Sequence, residues 1–334
     1  MEDINKFLNK FFVGNALTKL KQLENDSVDL VITSPPYWNA VVYDKDVNTD
    51  YESYLGNLTE IFSECTRVLR PNGKIGINTP IMPIPKSVIK QDLRHLKDIS
   101  ADLNERLLKN TDLNLFSLFI WQKQTSKLMF GSYPFPGNLL ENNTIEFIRV
   151  YVKPGKSKKY PKYIKENEKL KKYEWIDLIQ QIWFMIPEDI NRKKDHPAPF
   201  PEKLPARLMR MFSCGAINSF GGDIVLDPFV GTGTTCVVAK KMNRRFIGID
   251  VSAKYIEHAR SRLYRAKENQ FVNFLVGKTS HENKKDLEEN WNFIQSKRNK
   301  KIDDELLEKH IKKNREIRFG RNLKKKKKQK AFEF

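Results

Sequence analysis

The chain has 334 residues, 40% of them apolar, enough for one large α/β domain with insertions or two modest domains. Lys and Arg number 60 against 41 Asp and Glu, and the surplus of 19 suits a polyanionic partner, nucleic acid first. No apolar run approaches the roughly 18 residues of a membrane helix. The opening Met1-Glu2-Asp3 lacks the basic start of a signal peptide. Three scattered cysteines (Cys65, Cys214, Cys236) make neither a disulfide framework nor a metal-ligand spacing. A cytoplasmic protein with no membrane segment and no metal is expected.

From Phe12 onward, short apolar strands alternate with amphipathic helices. Ser27–Ile32 reads as a buried parallel strand, its Val28, Leu30, Val31 and Ile32 almost continuous. Tyr51–Leu69 is a helix with Tyr54, Leu58, Ile61, Phe62, Cys65 and Val68 largely on one face. Arg70-Pro71-Asn72-Gly73 ends it, and Lys74–Ile77 resumes as strand. A polar helical insertion is predicted over 86–110, followed by strands over Leu115–Gln122 and Ile145–Val152. Later come strand Asp223–Asp227, helix Thr234–Met242, strand Arg245–Asp250 and helix Ala253–Ala266. Such alternation indicates a mostly parallel sheet with helices on both faces.

The charge surplus is concentrated in two segments. Residues 153–174 hold nine lysines and three glutamates, and Lys153, Lys156, Lys158 and Lys159 run into Tyr160 and Tyr163. Lysines neutralise phosphates and tyrosine rings offer a stacking face, although a solvated loop fits the same stretch. Residues 297–334 hold sixteen Lys or Arg and six acids, including the run Lys324–Lys328. Five adjacent like charges repel, so residues 286–334 read as a basic helical or disordered tail behind a domain of residues 1–285.

Two motifs carry chemistry. Asp227-Pro-Phe-Val-Gly231-Thr-Gly233-Thr-Thr235 joins a strand to a helix. Its glycines allow a tight turn and close backbone approach, and the helix offers free N–H groups. Asp250 closes the next strand, placed to grip ribose hydroxyls. Cys236 stands where a dinucleotide fingerprint would have its third glycine. The combination points to a nucleoside-bearing cofactor. Thr33-Ser34-Pro35-Pro36-Tyr37-Trp38 lies at the carboxyl end of the first buried strand, where parallel-sheet proteins bind substrate. Two prolines stiffen the backbone between a hydroxyl and an aromatic ring. This makes a rigid clamp for a planar group bearing an exocyclic amine.

Thr-Ser-Pro-Pro-Tyr together with Asp-Pro-Phe-x-Gly-x-Gly-Thr-Thr resembles the amino DNA methyltransferases that use S-adenosylmethionine. The Ser-Pro-Pro-Tyr form is typical of the N4-cytosine type. The clamp preceding the cofactor motif is similar to the circularly permuted beta group. Further agreement lies in Val13-Gly14-Asn15, Leu69–Lys74, Trp121–Lys123, Glu146–Gly155 and His196–Pro205, so residues 11–266 are covered. Asn15 stands where the family often has Asp, and 86–110 and the tail are unmatched.

The resemblance implies a Rossmann-like S-adenosylmethionine-dependent fold acting on double-stranded DNA, with a cognate restriction endonuclease as a further partner. Asp227, Phe229, Gly231, Gly233 and Thr234 would line the cofactor site, Asp250 would take the ribose, and Phe200 with Lys203 would close the methionine end. Ser34 and the Pro35 carbonyl would accept the amine hydrogens, Pro36 would stiffen the clamp, and Tyr37 would stack on a base drawn from the duplex. Residues 153–183 would read sequence in the major groove. Adenine-N6 methylation stays open, since both chemistries use the same clamp. A non-catalytic DNA-binding module rests on the basic segments alone. Carbon-5 methylation fails, because Glu64, Ser213 and Thr235, not prolines, precede the cysteines.

Overall fold

A strand that buries every side chain must lie between two apolar layers. In the computed structural model, which describes residues 2–38, 50–84, 95–123, 136–137, 144–186 and 200–276, Val28–Thr33 is such a strand, buried at all six positions. Leu30 and Ile32 face one layer with Leu204, Leu208 and Val238, while Val28 and Val31 face another with Leu58, Phe62 and Val68. Fully burying such a side chain contributes about 1.5–3 kcal/mol, so this strand anchors both halves of the core.

The strands are β1 (Lys10–Val13), β2 (Val28–Thr33), β3 (Leu69–Ile84), β4 (His95–Asp98), β5 (Asn114–Lys123), β6 (Ile145–Val152), β7 (Ile182–Met185), β8 (Ile224–Asp227) and β9 (Arg245–Asp250). They order as β1-β9-β8-β2-β3-β6-β5-β7, with β4 beside β3. Among the described strands, only β6 and β4 run against their neighbours. The helices are α1 (Ala16–Leu20), α2 (Tyr51–Val68), α3 (Ile99–Asn110), α4 (Lys162–Asn167), α5 (Lys172–Leu178), α6 (Lys203–Phe212), α7 (Thr234–Lys241) and α8 (Ala253–Arg265). Buried side chains of α1, α2 and α3 join one layer and those of α6, α7 and α8 the other, so both faces are covered. Among the described residues, no helix is long and apolar enough to cross a membrane.

Two expectations are corrected. The insertion at 86–110 is helical only from Ile99: His95–Asp98 is extended because it pairs with Ile81–Ile84 of β3. That pairing completes a two-stranded ribbon, and 85–94 lie outside the described residues. Arg70–Gly73 is not a break between helix and strand, since β3 starts at Leu69. The turn is absorbed within the strand by Asn72 at φ 61°, a left-handed conformation that Asn tolerates. The 286–334 tail lies outside the described residues.

Candidate active site

Four parallel strands finish together. Val13 stands opposite Asp250, Gly248 opposite Asp227, and Leu226 opposite Val31. This carboxyl edge is where open parallel sheets hold ligands, and it gathers both motifs.

The clamp leaves β2 directly. Thr33 Oγ1 donates to Asp227 Oδ1 at 2.7 Å. Ser34 Oγ lies 2.9 Å from Tyr37 Oη and 3.1 Å from the Asn78 carbonyl oxygen. Tyr37 Oη lies 3.0 Å from Glu146 Oε2 and donates to it, and Glu146 also takes Asn78 Nδ2 at 2.5 Å and Lys123 Nζ at 2.9 Å. Pro35 is buried, and the Pro36 carbonyl accepts the Tyr54 hydroxyl of α2 at 2.9 Å. The clamp is therefore fixed from the sheet on one side and from α2 on the other. Trp38 stands edge-on to Tyr51, 4.9 Å between centroids, and Lys97 of β4 sits 4.4 Å over the Tyr51 ring.

The glycine loop follows β8. Asp227, expected to line the cofactor site, is buried and braces the loop: its second oxygen accepts Thr235 Oγ1 at 2.6 Å and its first also takes the Phe229 amide at 3.1 Å. Burial pushes its carboxyl up to about 6. Gly231 and Gly233 have φ of 51° and 87°, left-handed values that favour glycine. Gly233 precedes α7, and a Cβ there would stand 2.8 Å from Ala259 Cβ. Asp250 accepts the Gly231 amide at 2.9 Å and the Ser252 amide at 2.8 Å, and burial raises its carboxyl. Two bonds leave a carboxylate with free lone pairs, which fits ribose hydroxyls. Phe229 packs edge-on to Phe62, and Thr234 accepts from Arg262 at 3.0 Å. Phe200 packs on the α6–α8 layer, and Lys203 Nζ donates to the Leu275 carbonyl at 2.7 Å. Asn15 caps α1, accepting the Thr18 amide at 3.2 Å.

The basic stretch after β6 lies elsewhere. Because β6 runs antiparallel, Val152 faces Lys74 near the start of β3, so the chain leaves from the amino edge. Lys153 Nζ binds Asp26 at 2.8 Å and the Leu69 carbonyl at 2.9 Å. Lys158 bridges Asp29 at 3.0 Å and Asp223 at 2.6 Å, and Tyr160 donates to Asp223 at 2.6 Å. These groups, expected to contact DNA, here neutralise the protein's own carboxylates at the edge opposite the clamp. Lys156, Lys159 and Tyr163 are exposed on the same strap, which continues into α4 and α5. The segment 153–183 thus starts at the amino edge and returns in β7, where Trp183 stands opposite Trp121 and Trp121 opposite Glu146.

Sequence reasoning missed Asn78, Lys123, Glu146 and Tyr54 as parts of the clamp. A signal existed in Glu146 and Lys123, charges near the ends of two largely apolar strands.

The fold and the glycine loop with Asp250 define a class, α/β enzymes that use a nucleoside-bearing cofactor. A family model described as DNA methylase, the N6/N4 methyltransferase family, matches residues 28–261. The chain belongs to that family and is a DNA methyltransferase. It is 31% identical over 261 residues to the type II methyltransferase M.HpaI of Haemophilus parainfluenzae, covering 76% of this chain and 74% of that one. It is 27% identical to the type II beta methyltransferase M.BslI of Bacillus sp. (strain NEB-606) over 78% of this chain, but spans only 28% of that longer protein. TTHA0409 of Thermus thermophilus, described as a DNA modification methylase and solved with S-adenosyl-L-methionine, superposes with a TM-score of 0.61 at 32% identity, over 77% of this chain and 95% of that one. The cytosine-N4-specific PvuII methyltransferase shares the fold at a TM-score of 0.58 and 18% identity, over 83% and 90% of the two chains. S-adenosylmethionine is the cofactor of this chain.

Proposed function

We propose that this chain transfers a methyl group to the N4 amino group of cytosine at a specific site in double-stranded DNA. The observation that carries this reading is Ser34, a hydroxyl at the head of the clamp with its oxygen held by Tyr37 and Asn78. A cytosine amine is conjugated with its ring, so its lone pair is poorly available. Ser34 and the Pro35 carbonyl accept the amine hydrogens and draw the nitrogen towards a tetrahedral shape. Positive charge then develops on nitrogen where fixed acceptors stabilise it. The Tyr37 ring supplies a face for the extruded base. Asp250 and the Gly231–Gly233 loop hold the ribose side, and Phe200 with Lys203 closes the other end. Bound there, S-adenosylmethionine supplies the electrophilic methyl group.

DNA approaches the carboxyl edge, where Lys97 of the β3–β4 ribbon adjoins the aromatic rings beside the clamp. The beta-group motif order and the type II names of the relatives support a cytoplasmic modification enzyme paired with an endonuclease of the same specificity. Tritium transfer from labelled S-adenosylmethionine to DNA, followed by nucleoside analysis, tests the reading. N4-methylcytosine is expected. N6-methyladenine alone would move the substrate to adenine, and no transfer would favour a DNA-binding module.

A further inference from the structure

We propose that Glu146 is a positioning residue that sets the polarity of the clamp, so that Ser34 meets the amine as an acceptor. This rests on the amino-methylation reading above.

A serine hydroxyl both donates and accepts. If its hydrogen faced the amine, it would oppose the substrate instead of drawing its hydrogens. Ser34 has two places for that hydrogen, Tyr37 Oη at 2.9 Å and the Asn78 carbonyl at 3.1 Å, and both lie inside the protein. Tyr37 can serve as acceptor only if its own hydrogen points elsewhere. Glu146 Oε2, 3.0 Å from Tyr37 Oη, is an acceptor-only group and takes it. The carboxylate thus orders the row: Ser34 donates to Tyr37, Tyr37 donates to Glu146, and the lone pairs of Ser34 face the substrate.

Asn78 shows how strongly the carboxylate governs its surroundings. Its amide nitrogen points at Glu146 Oε2 and lies 3.2 Å from Tyr37 Oη, while its own Oδ1 is buried with no partner among the described residues. An unmet buried acceptor is costly, yet the reverse orientation would set two acceptors against each other. Lys123 closes the row at 2.9 Å, and both members of the pair are largely buried, at 15% and 8% side-chain exposure. A buried charge needs such a partner. Glu146 and Lys123 sit at the facing ends of β6 and β5, so the sheet register delivers this pair under the clamp.

Glu146→Gln keeps the shape but can present a donor where only an acceptor stood. It should lower kcat at least about tenfold, as the loss of one preorganised polar contact does. KM for DNA and the cofactor Kd should hold. Tyr37→Phe, which keeps the ring, should lower kcat similarly. The double substitution should be no slower than the worse single one, because groups in one row couple. Glu146→Gln leaves Lys123 unpaired, so Lys123→Met with Glu146→Gln removes both charges. That pair should restore the thermal midpoint while keeping the kcat loss. Additive losses, full kcat in Glu146→Gln, or kcat regained with the midpoint would overturn the polarity role while methylation stands. No methyl transfer by the unsubstituted chain would overturn the methylation reading and this role with it.

Discussion

Thr33 Oγ1 donates to Asp227 Oδ1 at 2.7 Å across 194 residues of sequence. The other oxygen of Asp227 holds Thr235 at the start of α7. One buried carboxylate therefore supports both the strand that carries the clamp and the loop that carries the cofactor. Transfer in line needs reacting atoms about 3–3.5 Å apart, and this brace fixes the two platforms relative to each other.

Thr33→Val removes the donor while keeping the shape. It should cost about 1–3 kcal/mol of stability, and it should worsen cofactor Kd and kcat together. Ser34→Ala, by contrast, should lower kcat with Kd nearly unchanged, since its acceptor matters as charge develops. Calorimetry and turnover on both variants decide this, and a Thr33→Val effect on kcat alone would disprove a shared brace.

Asp227 also imposes a pH dependence. Its folded carboxyl is pushed up to about 6 from 3.8, mainly by burial. Between these values the folded state holds the extra proton, so this group adds stability at low pH that is lost as pH rises through about 6. At 1.36 kcal/mol per unit the swing is roughly 3 kcal/mol. Urea unfolding at pH 4 to 7 should show the stability of the unsubstituted chain falling relative to Asp227→Asn across that window. A relative rise would reverse the sign of the burial effect.

Gly233→Ala should destabilise by about 1–3 kcal/mol. It combines a φ of 87° with a Cβ 2.8 Å from that of Ala259 on α8. Adding Ala259→Gly relieves the contact but not the backbone, so thermal midpoints should recover only in part. Full recovery would assign the whole cost to packing.

Asp250→Ala should weaken cofactor binding roughly ten- to hundredfold, the worth of about 1.5–3 kcal/mol in charged hydrogen bonds, and leave DNA affinity nearly intact. An unchanged cofactor Kd by calorimetry would remove the ribose role.

Lysines on opposite edges should behave oppositely. Lys97→Ala is expected to make the slope of log DNA affinity against log salt shallower by about 0.9, one phosphate contact. Lys158→Ala should leave that slope alone but lower the thermal midpoint, because Asp29 and Asp223 lose their shared cation. Equal slopes for Lys97→Ala and the unsubstituted chain would take the ribbon off the DNA.

Much of the fold was legible because burial writes itself into apolar periodicity. Strands Ile145–Val152 and Arg245–Asp250 fall where the pattern put them, and helices at 51 and 253 begin as expected. The extended segment His95–Asp98 was not legible, since its conformation comes from pairing with β3 and not from local preference. Helix Lys203–Phe212 was passed over behind the proline-rich stretch before it. At the site, the two motifs announced themselves by spacing. The row through Asn78, Lys123 and Glu146 did not, because register between distant strands brings them together. The lysines of 153–163 were readable as cations, but their partners Asp26, Asp29 and Asp223 are set by topology. The same composition would have served a phosphate.

The strap from Lys153 to Tyr160 secures the sheet at the edge remote from catalysis. Stability and chemistry thus draw on different ends of the same strands. Strands β2, β3, β5 and β7 all end on the catalytic side, at Thr33, Ile84, Lys123 and Met185. A scaffold divided in this way keeps a substitution at the catalytic end from costing the ties that hold the sheet at the other.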